Sequence, residues 1–257
     1  MTFCHVNGVN IHYREFGDGP PVVLAHGVGG NVVGWWQQIR PLSEKFRVIT
    51  FDARSFGLSE GDGADAGMFV ADLEGLLDAL GLESVALLGQ SMGGFTCSGF
   101  ASQHPDRVGA LILSGSPAGL APPRTEEEIE KRFAPGMTWP EFLHQSVGHG
   151  AFPQRHPDLF VLYDFIADLN QGASFDVLRT LGRTSHDISP IVEHGIPVML
   201  ISGEDDIQIG QVMDGIASKI PGSERVVIPD AGHLAYGEQA DVFNGHVLRF
   251  LQEKLAT

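Results

Sequence analysis

The turn Gly89-Gln-Ser-Met-Gly-Gly94 constrains this chain more than any other stretch. It follows the apolar run Ser84 to Leu88, which predicts a buried strand, and precedes Phe95 to His104, which predicts a helix ending before Pro105. Strand, tight turn and helix is the context in which Gly-x-Ser-x-Gly acts as a nucleophile elbow. Such a turn strains the backbone of its central residue and pushes that side chain out at the sheet edge. Gly89 and Gly93 carry no Cβ, so strand and helix can approach closely. The helix N-terminus beneath Ser91 offers unpaired N–H groups and the positive end of a dipole, which suits a developing oxyanion.

Alternation elsewhere extends this unit into a sheet. Phe3 to Val6 and Val9 to Phe16 flank Asn7-Gly8, a hairpin signal of the type I′ kind. Val22 to Ala25, Phe46 to Phe51, Val108 to Leu113, Ile196 to Ile201 and Glu224 to Ile228 are further predicted strands. Helices are predicted between them, at Trp35 to Glu44, Met68 to Leu80, Gln208 to Lys219 and Phe243 to Leu255. The expected fold is α/β, a mostly parallel eight-stranded sheet covered by helices on both faces.

Between Gly115 and Gly195 the rhythm breaks and no buried strand is predicted. About 80 residues is far too long for an ordinary crossover. The segment opens with breakers (Ser116 to Pro123) and continues with Thr125-Glu-Glu-Glu128, a capping box, and a second such signature at Thr138-Trp-Pro-Glu141. Asp158 to Asn170 and Ser174 to Leu181 are further helix candidates. The expected organisation is a core of residues 1–115 and 195–257 with a helical cap inserted at 116–194.

Ser91 needs a base, and the base needs an orienting acid. Of eleven histidines, His233 stands in Pro229-Asp-Ala-Gly-His-Leu234, directly after the last strand. A parallel sheet presents its functional loops at the carboxyl ends of its strands, so Ser91 and His233 should share one edge. The acid should follow an earlier strand there. Glu204-Asp205-Asp206 comes after Val198 to Gly203, and spacing favours Asp206, with Asp205 as the alternative; any of the three could instead cap the next helix. His26-Gly27-Val28-Gly29-Gly30, after Val22 to Ala25, can aim the Val28 N–H above Ser91, with the Met92 N–H as second oxyanion donor.

In order along the chain, His26-Gly27, Asp52-Ala-Arg54…Gly57-Leu-Ser59, Gly89-Gln-Ser91-Met-Gly93, Gly203-Glu-Asp-Asp206 and Gly232-His233-Leu234…Glu238 resemble the α/β-hydrolase superfamily. The resemblance implies Ser91 as nucleophile, Asp206 as acid, His233 as base and a cap over the pocket. Two positions depart from its usual pattern: Ser55 stands in place of a glycine, and Ala240 in place of a proline. The implied chemistry is acyl transfer on a carboxylic ester or lactone, with no metal or organic cofactor. C–C bond hydrolases, lyases, cofactor-free haloperoxidases or perhydrolases, and ligand receptors with residual slow hydrolysis use the same scaffold.

The pocket is expected to be largely apolar and to take a small uncharged or weakly polar acyl compound. Gly27, Gly29, Ile207 and Leu234 should border it, with Trp139 and Phe142 from an aromatic-rich cap (Phe133, Phe152, Phe160, Tyr163, Phe165, Phe175). Arg54 and Arg124 are the cap-side cations that could meet a carboxylate, although Arg54 is expected in a structural ion pair. Sixteen basic residues against thirty-two acidic leave a net charge of −16, which argues against nucleic acid or an anionic membrane as partner. The N-terminus has no signal-peptide pattern and no apolar run approaches the roughly 18 residues of a membrane span. Cys4 and Cys97 fit neither a metal site nor a disulfide framework, so a reducing cytoplasm is expected, and with it a monomer or homodimer as the assembly.

Overall fold

The computed structural model describes residues 1–61, 66–132, 151–170, 172–174 and 176–255. An eight-stranded sheet organises them in the order β1-β2-β4-β3-β5-β6-β7-β8. The strands are β1 (Thr2–Val6), β2 (Val9–Phe16), β3 (Pro21–Ala25), β4 (Arg47–Phe51), β5 (Val85–Gln90), β6 (Val108–Ser114), β7 (Val198–Gly203) and β8 (Glu224–Ile228). β1 and β2 run antiparallel to their neighbours, and all other pairs are parallel. The hairpin between β1 and β2 turns at Asn7 and Gly8, both at positive φ (47° and 79°), as the primed turn requires.

The central strands β5 and β7 are buried along their whole length, because helices cover both faces. On one face α2 (Ala66–Ala79) and α3 (Met92–Gln103) pack Leu73, Leu76, Leu77, Cys97 and Phe100 against Leu87 and Leu111. The other face is closed by α1 (Trp36–Ser43) and the last helix (Ala240–Leu255), with Leu42, Phe243, Val247 and Phe250 over Leu88 and Ile112. Burial pushes the Cys97 thiol far above its ordinary value, as expected of a packed thiol.

Between β6 and β7 the described residues form helices: α4 (Glu126–Arg132), α5 (Phe152–Arg155), α6 (Pro157–Asp168), α7 (Asp176–Arg183) and α8 (Ser189–Glu193). The capping box at the start of α4 closes as the sequence predicts. The Thr125 N–H donates to Glu128 Oε2 at 2.8 Å, and the Glu128 N–H donates to Thr125 Oγ1 at 3.3 Å. Trp139, Phe142 and the second signature at Thr138 to Glu141 lie outside the described residues, as do Phe133 and Phe175. Among the described residues no helix is long and apolar enough to cross a membrane.

Candidate active site

The elbow is built by close approach. A Cβ at Gly93 would strike the Ala25 carbonyl, and one at Gly89 would strike the Gly93 carbonyl. Only glycine allows α3 to start this near the sheet. Ser91 takes φ 49°, ψ −111°, a left-handed conformation that L-residues avoid. Its backbone is held on both sides: the Ser91 N–H donates to Ser114 O at 2.9 Å, and Ser116 Oγ donates to Ser91 O at 2.6 Å. The helix begins at Met92, three residues earlier than the predicted Phe95. Met92-Gly-Gly94 has weak intrinsic helix preference, and the anchors from Ser114 and Ser116 override it.

Three loops then meet. His233 Nε2 lies 3.1 Å from Ser91 Oγ, and His233 Nδ1 lies 2.7 Å from Asp206 Oδ2. Asp206 occupies the N-cap position of α9 (Ile207–Ala217), but its side chain makes no cap hydrogen bond. Its carboxylate faces the imidazole instead. Asp205, the alternative acid, accepts from Arg155 Nη1 at 2.7 Å, and Glu204 Oε2 accepts the Asp230 N–H at 3.4 Å. The crowded acidic turn is thereby sorted, with Asp206 on the imidazole, Asp205 on Arg155 and Glu204 on the Asp230 N–H.

The loop carrying His233 has its own clamp, which sequence reasoning passed over. After His233 comes the short helix α10 (Ala235–Glu238), then α11 (Ala240–Leu255). Glu238, buried, accepts the Gly232 N–H with both oxygens at 3.0 Å and the Leu234 N–H with Oε1 at 3.2 Å. These are the peptide groups on either side of the imidazole. Burial pushes the Glu238 carboxyl above its ordinary value, against the lowering pull of those two N–H groups. The folded chain therefore holds this proton more tightly than the unfolded one. Glu238 adds most to stability below the unfolded value, and that contribution is lost as pH rises through the folded value. Glu238→Gln keeps an oxygen for both N–H groups and removes the buried charge. It is expected to gain stability over wild type at pH 7 relative to pH 4.5, measured by urea unfolding. Glu238→Ala frees the loop and is expected to lower kcat by about 10–100-fold with little change in KM.

His26 fixes the opposite wall. Its Nε2 accepts the Ala53 N–H at 2.9 Å, so Nδ1 carries the proton and donates to Gly27 O at 2.8 Å. Burial holds the ring neutral by lowering its proton affinity. The turn closes through the Gly30 N–H on Gly27 O at 2.9 Å, with Gly29 at φ 79°. A Cβ at Gly27 would collide with Gln90 and lie 3.0 Å from Ser91 Cβ. Val28 and Met92 both line the cavity over Ser91. As the first residue of α3, Met92 has no carbonyl one turn back for its N–H.

That cavity encloses about 690 Å³ and is bordered by Ser91, His233, Asp206, Ile207 and Leu234, with Phe95, Leu178 and Leu181 as apolar wall. A small recess beside it is lined by Val28, Gly29, Phe160 and Tyr163. Of the described aromatics between β6 and β7, Phe152 and Tyr163 are buried with Tyr236 in the core, and Phe165 is exposed. Arg54 is held by Asp72 through Nε at 2.8 Å and Nη2 at 2.7 Å, so it is structural. Ser55 sits at φ 70°, keeping the left-handed conformation that glycine would take freely. Among the described residues no three His, Cys, Asp or Glu side chains gather closely enough to hold a metal ion.

Comparison with known proteins places this geometry among relatives. The family model described as alpha/beta hydrolase fold matches residues 20–155, just over half of the chain. A 2-hydroxy-6-oxo-6-phenylhexa-2,4-dienoate hydrolase of Comamonas testosteroni is 39% identical over 95% of this chain and 92% of that protein. Among solved structures, a thermophilic esterase from Thermogutta terrifontis superposes with a TM-score of 0.84 at 26% identity, covering 98% of this chain and 99% of that one. The enol-lactonase from Burkholderia xenovorans LB400 gives 0.79 at 26% identity, covering 98% and 100%.

Proposed function

The chain belongs to the α/β-hydrolase fold family, and on that premise we propose that it is a serine hydrolase of carboxylic esters or lactones. The observation that carries this reading is the continuous contact from Ser91 Oγ through His233 to Asp206, set on a strained elbow at the floor of a cavity. In it, Ser91 is the nucleophile, His233 the base and Asp206 the acid. Residues 116–194 act as a cap on a core of residues 1–115 and 195–257.

His233 Nε2 takes the Ser91 proton as Oγ attacks the carbonyl carbon. The carbonyl oxygen, now an oxyanion, accepts from the Met92 and Val28 N–H groups. Collapse breaks the C–O bond, and His233 returns the proton to the leaving alkoxide. Water, deprotonated by His233, then attacks the acyl-enzyme; the acid departs and Ser91 recovers its proton. Asp206 holds the imidazole with Nδ1 protonated throughout and stabilises its positive charge.

A second reading has a specific observation behind it. The relative from Comamonas testosteroni is named for a dienoate whose cleavage breaks a carbon–carbon bond. There the departing electron pair sits on carbon and must be protonated at carbon, a harder departure than an alkoxide. The thermophilic esterase and the enol-lactonase favour the oxygen leaving group.

Short p-nitrophenyl esters, small lactones and a vinylogous 1,5-diketone distinguish these. Sustained turnover of esters or lactones after an initial burst, with the diketone far slower, is the expected result. Faster cleavage of the diketone than of any ester would transfer the assignment to carbon–carbon hydrolysis. Arrest after about one turnover would point to a receptor with a slow triad.

A further inference from the structure

The charged groups around the catalytic cavity do not balance. Among the described residues its walls carry three carboxylates, Glu128, Asp205 and Asp206, and one guanidinium, Arg124. Each carboxylate is engaged. Asp206 faces His233, Asp205 faces Arg155, and Glu128 accepts from the Thr125 N–H at 2.8 Å and from Thr125 Oγ1 at 2.9 Å. Those Thr125 bonds are the main reason the Glu128 carboxyl is held below its ordinary value, with the charge of Arg124 a lesser one.

Arg124 is engaged only through its backbone, whose N–H donates to Gly182 O at 2.8 Å. Among the described residues its guanidinium makes no hydrogen bond and no ion pair. Other half-buried arginines behave differently: Arg47, Arg54, Arg107, Arg179, Arg225 and Arg249 all close ion pairs. With twice as many acidic as basic residues available, a half-buried arginine left over is the exception, and it lies on the wall of the cavity that holds Ser91.

We propose that Arg124 receives a carboxylate carried by the substrate away from the scissile carbonyl, so that the ester or lactone this chain cleaves is an anion. The planar fork of a guanidinium matches both oxygens of a carboxylate. Phe95, Leu178 and Leu181 supply apolar wall for the carbon stem between charge and carbonyl. An anionic substrate departs from the uncharged or weakly polar acyl compound that the sequence leads one to expect, and the guanidinium on the cavity wall, unpaired among the described residues, is the reason. The net charge of −16 opposes an anion at long range, but exposed charges are largely screened beyond about 8 Å at physiological salt. Contact with Arg124 therefore decides.

This inference rests on the ester-hydrolase reading, and the test separates the two. Mono-p-nitrophenyl adipate is compared with its methyl-capped diester, which puts the charge on the acyl side. 4-Acetoxybenzoate is compared with its methyl ester, which puts it on the leaving side. Wild type is expected to favour the acid of at least one pair by about tenfold or more in kcat/KM, mainly through KM. The preference should fall with added salt. Arg124→Gln should abolish it and Arg124→Lys retain part of it. The acid-to-capped ratio is the readout, so a general loss of activity in a variant cancels. A wild-type ratio at or below one for both pairs, or a ratio unchanged by Arg124→Gln, overturns the inference and leaves the ester-hydrolase reading standing. Failure to cleave any of the four compounds overturns both.

Discussion

Ser91→Ala is expected to lower kcat by about 10⁵–10⁶-fold on every substrate the wild type cleaves, with KM nearly unchanged. Ser91 Oγ contacts His233 and caps nothing, so its removal takes away the attacking atom without loosening the start of α3. Alanine meets the same positive φ as serine, and the anchors from Ser114 and Ser116 reach the backbone rather than the hydroxyl. The variant should therefore fold like wild type. A residual acceleration of about 10³–10⁴ over water should survive, because the cavity and the two proposed donors, the Val28 and Met92 N–H groups, remain. Steady-state kinetics measures the loss, and mass spectrometry after a serine-reactive phosphonate should find the adduct on residue 91 in wild type alone. Undiminished turnover by Ser91→Ala would remove this residue from the chemistry.

Asp206→Asn is expected to cost about 10⁴-fold in kcat. The carboxylate accepts from Nδ1 and so leaves Nε2 free to take the serine proton. An amide can present its NH₂ group instead, which favours the tautomer with Nε2 protonated and unable to act as base. It also removes the negative charge that steadies the imidazolium. Asp205→Asn provides the comparison. Asp205 pairs with Arg155 at a partly exposed site, where such a pair contributes on the order of 0–1 kcal/mol. That variant should lose less than about tenfold by the same reasoning. If Asp205→Asn proved the more damaging, the acid would have been assigned to the wrong neighbour.

Local patterns carried most of the architecture into the sequence. Gly89, Ser91 and Gly93 mark the elbow because strand and helix can meet there only over bare Cα atoms, a requirement visible as spacing. Asn7-Gly8 and the Thr125–Glu128 box are similarly self-contained. What could not be read depends on partners far along the chain. Asp206 is distinguished from Asp205 partly by Arg155, some fifty residues away, which occupies the outer carboxylate. Glu238 stood out as a motif position, but its grip on the Gly232 and Leu234 N–H groups emerges only when the last loop folds back on itself. The aromatics between β6 and β7 could not be sorted into packing and pocket residues for a related reason. Helical spacing cannot say which side of a helix meets the core, and Phe152 and Tyr163 turned inward.

The order of strands has a further consequence. Ser91 follows β5, Asp206 follows β7 and His233 follows β8, while the segment whose described residues form α4 to α8 springs from β6, between Ser91 and Asp206 in the chain. The proposed triad and the wall residues Leu178 and Leu181 thus grow from separate roots on one platform. Lengthening, trimming or grafting the insertion could change what is admitted while the reacting atoms stay where the sheet puts them. A scaffold wired this way can acquire new diets by exchanging a single contiguous stretch of chain.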